Sequence, residues 1–327
     1  MSAAHPSAGA AVQRSEQPQT RKFLDPLVTA DGQERAWVQL DSLQTLWFNT
    51  GTMCNITCEH CYIESSPTND RLSYLSLGEV ETFLDEVAEL GLPTREIGFT
   101  GGEPFMNPVF IAMLDETMRR GFEALVLTNA MQPMQRPGLQ RELLELKRKY
   151  GDRLTLRVSL DHFTPDFHEM ERGAGSWPIA MAGLRWLSEH SFRVSVAGRT
   201  RWNEHPIETR RGYARLFAAE QVPVDADDPV ELVLFPEMDE TADVPEITVA
   251  CWDILDRRPE EMMCGWSRMV VKRKGEDQPT VLACTLLPYD SQFELGSTLA
   301  ESETVVRLNH PHCAKFCVLG GGACSAG

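Results

Sequence analysis

The sequence predicts an α/β fold: a partial barrel of six strand–helix units, (β/α)6, with a small cysteine-rich hairpin extension at its carboxyl-terminal end. Three observations predict this fold. Strand-like and helix-like segments alternate strictly between residues 45 and 262, and the loops that join them are short. The pattern also stops two units before an eight-stranded barrel would close. Strands joined in this way run parallel, with the helices outside the sheet.

Each unit is predicted from local signals. Apolar runs predict strands at 45–50, 96–100, 124–128, 154–160, 192–197 and 230–235. Helices are predicted between and after them at 76–90, 108–120, 137–150, 176–190, 207–220 and 250–262. Two helices have clear starts. Ser76 and Glu79 form a capping box before the first, and Asn107 with Pro108 opens the second.

Both ends of the chain differ from the alternating part. Residues 1–22 are rich in Ala, Ser, Gln and Pro, and we expect a disordered tail there. Asp31-Gly32 predicts an N-terminal hairpin over 23–43, before a barrel over 44–248. The region 249–327 is loop-rich and holds a second hairpin around Lys274-Gly275. It also contains six of the nine cysteines.

Charge and cysteine content limit the class of protein. Lys and Arg number 31 against 48 Asp and Glu, which gives a net charge of −17. Nucleic acids and anionic membranes bind largely through Lys and Arg, so this balance counts against both. No apolar run is long enough for a signal-peptide core or a membrane span, and we expect a cytoplasmic protein. In a reducing compartment, nine cysteines indicate metal binding or catalysis.

Cys54, Cys58 and Cys61 form a C-x3-C-x2-C motif in the loop after the first barrel strand. Three thiolates so close together can bind one cuboidal [4Fe–4S] cluster and leave one iron open to a chelating ligand. The location fits, because active sites of α/β barrels lie on loops after the strands. A structural zinc site, with His60 as a strained fourth ligand, is an alternative; reduced core thiols are another.

Gly101-Gly102-Glu103 follows the second strand. Two glycines let the backbone approach a ligand closely, and Glu103 can accept from an ammonium group, although alone this is an ordinary turn sequence. With the cysteine motif before it, the chain resembles the radical S-adenosylmethionine (SAM) superfamily over about residues 44–235. The resemblance implies that the three cysteines bind the cluster and that its free iron holds the amino and carboxylate groups of SAM. It also implies that the Gly-Gly-Glu loop receives the amino group.

The resemblance implies further SAM contacts. His60 occupies the aromatic position that lies near the adenine. Ser159, at the end of the fourth strand, is placed for a contact with the ribose or the carboxylate. Arg199, after the fifth strand, is the type of residue that pairs with a carboxylate in a fork geometry. For Ser159 and Arg199 a solvated loop residue is the alternative.

The carboxyl-terminal region resembles a SPASM/twitch extension, which holds auxiliary [4Fe–4S] clusters. One auxiliary cluster fits the number of cysteines better than two, and its expected ligands are Cys264, Cys284, Cys313 and Cys317. Cys324 competes for one of these positions. A leftover Cys251 or Cys324 can donate a hydrogen atom, although Cys251 also suits a buried inert thiol. A zinc knuckle with His310 or His312, or free thiols, are the alternatives.

The resemblance implies an enzyme that cleaves SAM reductively to a 5′-deoxyadenosyl radical, which abstracts hydrogen from a substrate. We expect a peptide or a small metabolite as substrate, because the acidity disfavours RNA. A reductant such as flavodoxin or ferredoxin is expected as partner, and a peptide substrate can need a separate carrier protein. The rival class is a non-catalytic iron–sulfur or zinc-binding protein that acts in electron transfer or as a scaffold.

Overall fold

The computed structural model describes residues 22–239 and 241–322. Its strands are β1 (Trp37–Val38), β2 (Thr45–Asn49), β3 (Glu96–Thr100), β4 (Glu123–Thr128), β5 (Leu154–Ser159), β6 (Arg193–Arg199), β7 (Leu232–Phe235), β8 (Ser267–Val271), β9 (Thr280–Leu282) and β10 (Val306–Arg307). The α-helices are α1 (Leu77–Glu89), α2 (Phe110–Arg119), α3 (Pro137–Tyr150), α4 (Pro165–Arg172), α5 (Ser176–Glu189), α6 (Pro206–Glu220) and α7 (Cys251–Leu255). A π-helix spans Cys313–Val318, and short 3-10 helices lie in several of the loops.

Eight strands form one sheet in the order β7-β6-β5-β4-β3-β2-β8-β9. The six strands from β2 to β7 run parallel, each beside the next in the chain. Right-handed connections between consecutive parallel neighbours place their helices on one face of the sheet. The hairpin of β8 and β9 adds to the β2 side, where β8 runs parallel to β2. The predicted partial barrel with a hairpin extension is confirmed.

The main apolar core lies between the parallel strands and helices α1, α2, α3, α5 and α6. Within it, Phe48 stacks on Phe99 with ring centroids 5.8 Å apart, and Phe110 of α2 meets Phe99 edge-on at 5.4 Å. A second apolar cluster lies around the carboxyl-terminal region and includes Met269, Phe316 and several cysteines. Because the second cluster also contains Trp47 of β2 and Leu125 of β4, it packs the extension against the barrel strands.

Helix α1 begins as the capping box predicts. The Glu79 amide donates to Ser76 Oγ at 3.3 Å, and the Ser76 amide donates to the Glu79 carboxylate at 2.7 Å. We expect Ser76→Ala to lower the free energy of unfolding by about 1 kcal/mol, because one orphan amide of the first turn loses its acceptor. Urea unfolding would measure this. Thr82→Ala, on the exposed face of the same helix, is the control and should leave stability nearly unchanged.

Three elements differ from the prediction. The N-terminal hairpin forms only in part, because Val28 bridges Glu34 while β1 pairs with β10 near the carboxyl terminus. The predicted helix 250–262 ends at Leu255, since the following residue is left-handed (φ 51°) and Pro259 disfavours a helical residue before it. An additional helix, α4, fills the loop after β5.

The predicted tail over residues 1–21 and Cys324 lie outside the described residues. Among the helices that the structure does describe, none is both long and apolar enough to cross a lipid bilayer.

Candidate active site

A cleft of about 900 Å³, counted with its open mouth, lies at the carboxyl ends of the parallel strands. Residues from the ends of strands β3 to β7 and from the loops after several of the parallel strands line it together with part of α4. The predicted site residues among them are Cys54, Cys58, Cys61, Gly101, Gly102, Ser159 and Arg199. Predicted residues that are up to 145 positions apart in sequence, Cys54 and Arg199, therefore meet here, as expected for the carboxyl end of a parallel sheet.

The glycine loop lies directly against the segment that leads into the cysteine motif. The Gly102 amide donates to the Gly51 carbonyl at 2.7 Å, and the Glu103 amide donates to the Met53 carbonyl at 3.1 Å. Gly101 has φ +140°, and a Cβ there would lie 2.5 Å from the Gly51 oxygen. Glycine is thus required for both the backbone conformation and the close approach.

The three cysteines are partly or fully buried in the cleft wall. Burial raises the pKa of Cys54 to about 12 and also raises the pKa of Cys58. Polar groups nevertheless face the sulfurs: the Ser65 amide donates to Cys61 Sγ at 3.3 Å, and Asn129 Nδ2 lies 3.9 Å from Cys54 Sγ. Thiols in this environment lose their protons when a bound metal supplies positive charge.

Glu103 lies behind the cleft wall and is almost fully buried. Its carboxylate accepts from the Thr128 hydroxyl at 2.8 Å and from the Asn129 amide at 2.9 Å. Burial raises the pKa of Glu103 to about 7, although these hydrogen bonds act in the opposite direction. An ammonium group brought beside Glu103 would stabilise its carboxylate form.

A buried ion pair between Asp161 and Arg172 also lines the cleft. Arg172 of α4 donates to Asp161 through Nε at 2.7 Å and through Nη2 at 3.2 Å. Burial would lower the pKa of Arg172, but Asp161 raises it above its ordinary value, and Cys58 acts in the same direction. Arg199 Nε lies 3.5 Å from Asp161, so Arg199 is also part of this network. Arg172 therefore places a permanent positive charge near the cysteines.

His60 is not among the residues that line the cleft. Its ring Nδ1 lies 3.0 Å from Glu171 Oε2 and contacts Arg201, and its side chain is 36% exposed. Its carbonyl accepts from Arg199 Nη2 at 2.7 Å. The contact of His60 with adenine stays a prediction.

The carboxyl-terminal thiols gather in the second apolar cluster. We define the carboxyl-terminal thiol group as Cys264, Cys284, Cys313 and Cys317, all of which belong to or pack against that cluster. Burial raises the pKa of Cys313, and the nearby Cys284 and Cys264 raise it further. Cys317 lies four residues beyond Cys313 in the π-helix. Cys251 packs against the same cluster and accepts from the Thr248 amide at 3.4 Å.

Within the described residues, no three His, Cys, Asp or Glu side chains are grouped closely enough to ligate a single metal ion. The ligands of a cuboidal cluster need not meet this condition, because each thiolate binds a different iron. The sequence also left residues of this site unassigned. Glu171 and Arg172 were missed because α4 was not predicted, although Pro165 in its first turn and Gly173 after its end are ordinary helix signals.

His168, also on α4, gives the site region a pH dependence. The ring is fully buried edge-on against Trp177, and neither ring nitrogen has a hydrogen-bond partner among the described residues. Burial, and then the charge of Arg172, lowers the pKa of His168 to about 4 from its ordinary value of 6.5. The unfolded chain therefore binds a proton first as the pH falls, and stability is lost between about pH 6.5 and pH 4.

We expect His168→Leu to remove this pH-dependent part of the free energy of unfolding. The difference between the two pKa values limits it to about 3 kcal/mol. Urea unfolding of the protein without metal at pH 7 and pH 4.5 would measure it. The loss of free energy of unfolding between these values should be smaller in His168→Leu than in the wild type. Equal losses in the two proteins would contradict the assignment.

Fold and site together define an enzyme class that holds an iron–sulfur cluster at the mouth of an open α/β barrel. The chain belongs to the radical SAM superfamily, whose sequence family model matches residues 48–211. The family uses a [4Fe–4S] cluster together with SAM.

Curated relatives cover more of the chain. It is 27% identical over 270 residues to the antilisterial bacteriocin subtilosin biosynthesis protein AlbA of Bacillus subtilis, a match that covers 76% of this chain and 56% of AlbA. It is 28% identical over 160 residues to the mycofactocin maturase MftC of Mycobacterium ulcerans, covering 48% of this chain and 40% of MftC. The chain thus spans about half the length of the curated relatives that it matches.

Solved structures share the fold. Streptococcus suis SuiB bound to SAM superposes with a TM-score of 0.56 at 11% identity, over 78% of this chain and 63% of SuiB. The anSMEcpe structure with bound AdoMet gives the same TM-score at 13% identity, over 80% of this chain and 77% of that chain.

The residues present fit the cofactors of the family. The lining holds three cysteines, the number that leaves one iron of a [4Fe–4S] cluster open. Gly101 and Gly102 leave a close cradle that side chains would fill. Amide groups of Ser65 and Asn129 face the sulfurs, as donors commonly do around iron–sulfur clusters.

Proposed function

We propose that this chain is a radical SAM enzyme that modifies a peptide and binds its SAM-cleaving cluster through Cys54, Cys58 and Cys61. The observation that carries the proposal is that these thiols and the Gly101-Gly102 loop line one cleft. When bound and reduced, the cluster supplies one electron to the sulfonium of SAM, which gives methionine and a 5′-deoxyadenosyl radical that takes a hydrogen atom from the substrate.

The chain's own residues bind and orient SAM. We expect Glu103 and the backbone of the glycine loop to receive the SAM ammonium group, and the position of the loop in the cleft lining, with Glu103 behind it, supports this role. Ser159 and Arg199 also line the cleft, which supports the proposal that they contact the ribose and the carboxylate of SAM. Apolar side chains such as Ile56 and Leu127 form other parts of the wall and exclude water.

The carboxyl-terminal thiol group is proposed to hold one auxiliary [4Fe–4S] cluster. The electrostatic contact of Cys313 with Cys284 and Cys264 supports a common site. We expect Cys284→Ala to lower the iron bound per chain by about half, because a protein with two [4Fe–4S] clusters would lose one of them. Iron analysis after anaerobic reconstitution would measure this, and unchanged iron content would contradict the auxiliary site. A hydrogen-donor role for Cys251 or Cys324 stays a prediction.

A peptide substrate is supported by the relatives. AlbA is named for the biosynthesis of a bacteriocin, and SuiB has been determined with its precursor peptide SuiA bound. We further propose a cytoplasmic location and a one-electron donor of the flavodoxin or ferredoxin class. The net charge of −17 gives no support to a nucleic-acid substrate.

Anaerobic reconstitution with iron and sulfide, followed by dithionite and SAM, tests the proposal. We expect 5′-deoxyadenosine and methionine to form, and a short peptide encoded beside the gene to change mass when it is included. A protein that binds zinc and leaves SAM intact would be the scaffold of the rival class. Cleavage of SAM with turnover of a small metabolite but of no peptide would overturn the peptide part alone.

A further inference from the structure

Glu171, on the inner side of α4, holds the middle of the cysteine motif. Its side chain is 1% exposed. Its backbone carbonyl accepts from the Glu59 amide at 2.8 Å, and its carboxylate Oε2 lies 3.0 Å from His60 Nδ1. Glu59 and His60 are the two residues between Cys58 and Cys61 in the motif.

Two arginines from the end of β6 complete the arrangement. Arg201 Nη1 lies 2.8 Å from Glu171 Oε1, and Arg199 Nη1 lies 3.6 Å from Glu171 Oε2. Arg199 also donates to the His60 carbonyl at 2.7 Å, and Arg201 contacts the His60 ring. The His60 backbone and ring are therefore both held, from elements more than 100 positions away in sequence.

A buried carboxylate between two guanidinium groups is costly to disturb, because removing one partner leaves the others with uncompensated charge. The arrangement is therefore stiff, and what it holds is the segment that sets the separation of two cluster ligands. Outer groups that fix the orientation of metal ligands commonly contribute 10- to 100-fold, roughly, to metal affinity.

We propose that Glu171 is a positioning residue that holds the Glu59–His60 segment and thereby keeps Cys58 and Cys61 in place for the cluster. The proposal rests on the proposed function for its consequence at the cluster. Its structural part concerns this chain alone, and the first experiment tests that part without metal.

The first experiment is hydrogen exchange, followed by mass spectrometry, on the full chain without metal. In Glu171→Gln, the Glu59 amide, which donates to the Glu171 carbonyl, should exchange at least about tenfold faster than in the wild type, since weakened ion pairs release the segment. Asp166→Asn, which removes an exposed carboxylate from the same helix, is the matched control and should leave this exchange unchanged. Unchanged exchange in Glu171→Gln would overturn the proposal.

The second experiment uses the reconstituted protein and measures the change that SAM causes in the electron paramagnetic resonance spectrum of the reduced cluster. The change should be weakened in Glu171→Gln and partly restored in Glu171→Asp, which keeps the charge. Wild-type protein without any SAM-dependent change would refute the proposed function instead. If Glu171→Gln does not fold, Arg201→Gln removes a partner of the same carboxylate, and wild-type behaviour in both experiments would overturn the proposal.

Discussion

Cys58→Ala is expected to abolish the formation of 5′-deoxyadenosine from SAM. Cys58 lines the cleft with Cys54 and Cys61, and no other cysteine lines it among the described residues. Loss of a residue that only supports a metal ligand costs about 10- to 100-fold in metal affinity, so loss of a direct ligand should reduce SAM cleavage by at least about 100-fold. Chromatographic quantification of 5′-deoxyadenosine after anaerobic reduction would measure the effect.

Thr57→Ala is the matched control for this variant. Thr57 precedes Cys58 in the same loop and is exposed, so its loss should leave SAM cleavage near the wild-type rate. Iron bound to the carboxyl-terminal thiol group should persist in Cys58→Ala, because that group belongs to the separate apolar cluster. SAM cleavage by Cys58→Ala at the wild-type rate would show that the cluster is held elsewhere.

Features that depend on neighbouring residues were predictable from the sequence. The capping box of α1 and the spacing of the cysteine motif are set within a few positions, and the six parallel strands follow from apolar runs with short connections. The glycine loop could be assigned because Gly-Gly-Glu follows the second strand and the cysteine motif precedes it, and the φ of +140° at Gly101 explains why glycine is needed there.

Features that depend on distant contacts were not predictable in the same way. The pairing of β1 with β10 joins the two ends of the described chain, and no local pattern specifies it. Glu171 and Arg172 of α4 line the cleft, and their ion pairs are with Arg201 and Asp161, which lie outside this helix in sequence. For the same reason the contacts of the His60 ring with Glu171 and Arg201 were not predicted, and its expected position near the adenine stays a prediction.

The carboxyl-terminal cysteines lie between these cases. Their number indicated one auxiliary site, but their proximity depends on the β8–β9 hairpin and the π-helix reaching the same apolar cluster. The hairpin does so by extending the barrel sheet through β8 beside β2, a pairing that the sequence pattern did not predict. Strand β2, which precedes the cysteine motif, and strand β8, which lies within the region of the carboxyl-terminal thiol group, are thus hydrogen-bonded neighbours.

Gly102→Ala is expected to separate the glycine loop from the cysteine loop. A Cβ at Gly102 would lie 2.1 Å from the Met53 oxygen, 2.5 Å from the Met53 carbonyl carbon and 2.8 Å from the Thr52 oxygen. All three are backbone atoms, so the segment before Cys54 must move as a whole. The hydrogen bonds of 2.7 and 3.1 Å between the two loops would then be strained or broken. We expect a loss of about 3 kcal/mol in the free energy of unfolding.

Gly102→Ala should also weaken the binding of SAM. The displaced loop carries Glu103 and the backbone groups proposed to receive the SAM ammonium. A loss of about 1.4 kcal/mol in binding free energy there would lower the affinity for SAM tenfold. SAM titration of the reconstituted protein would measure it. Gly138→Ala in α3 is the matched control, because no atom lies within 4 Å of its Cβ and a helical alanine is more stable than glycine. If Gly102→Ala bound SAM as the wild type does, the glycine loop would not be part of the SAM site.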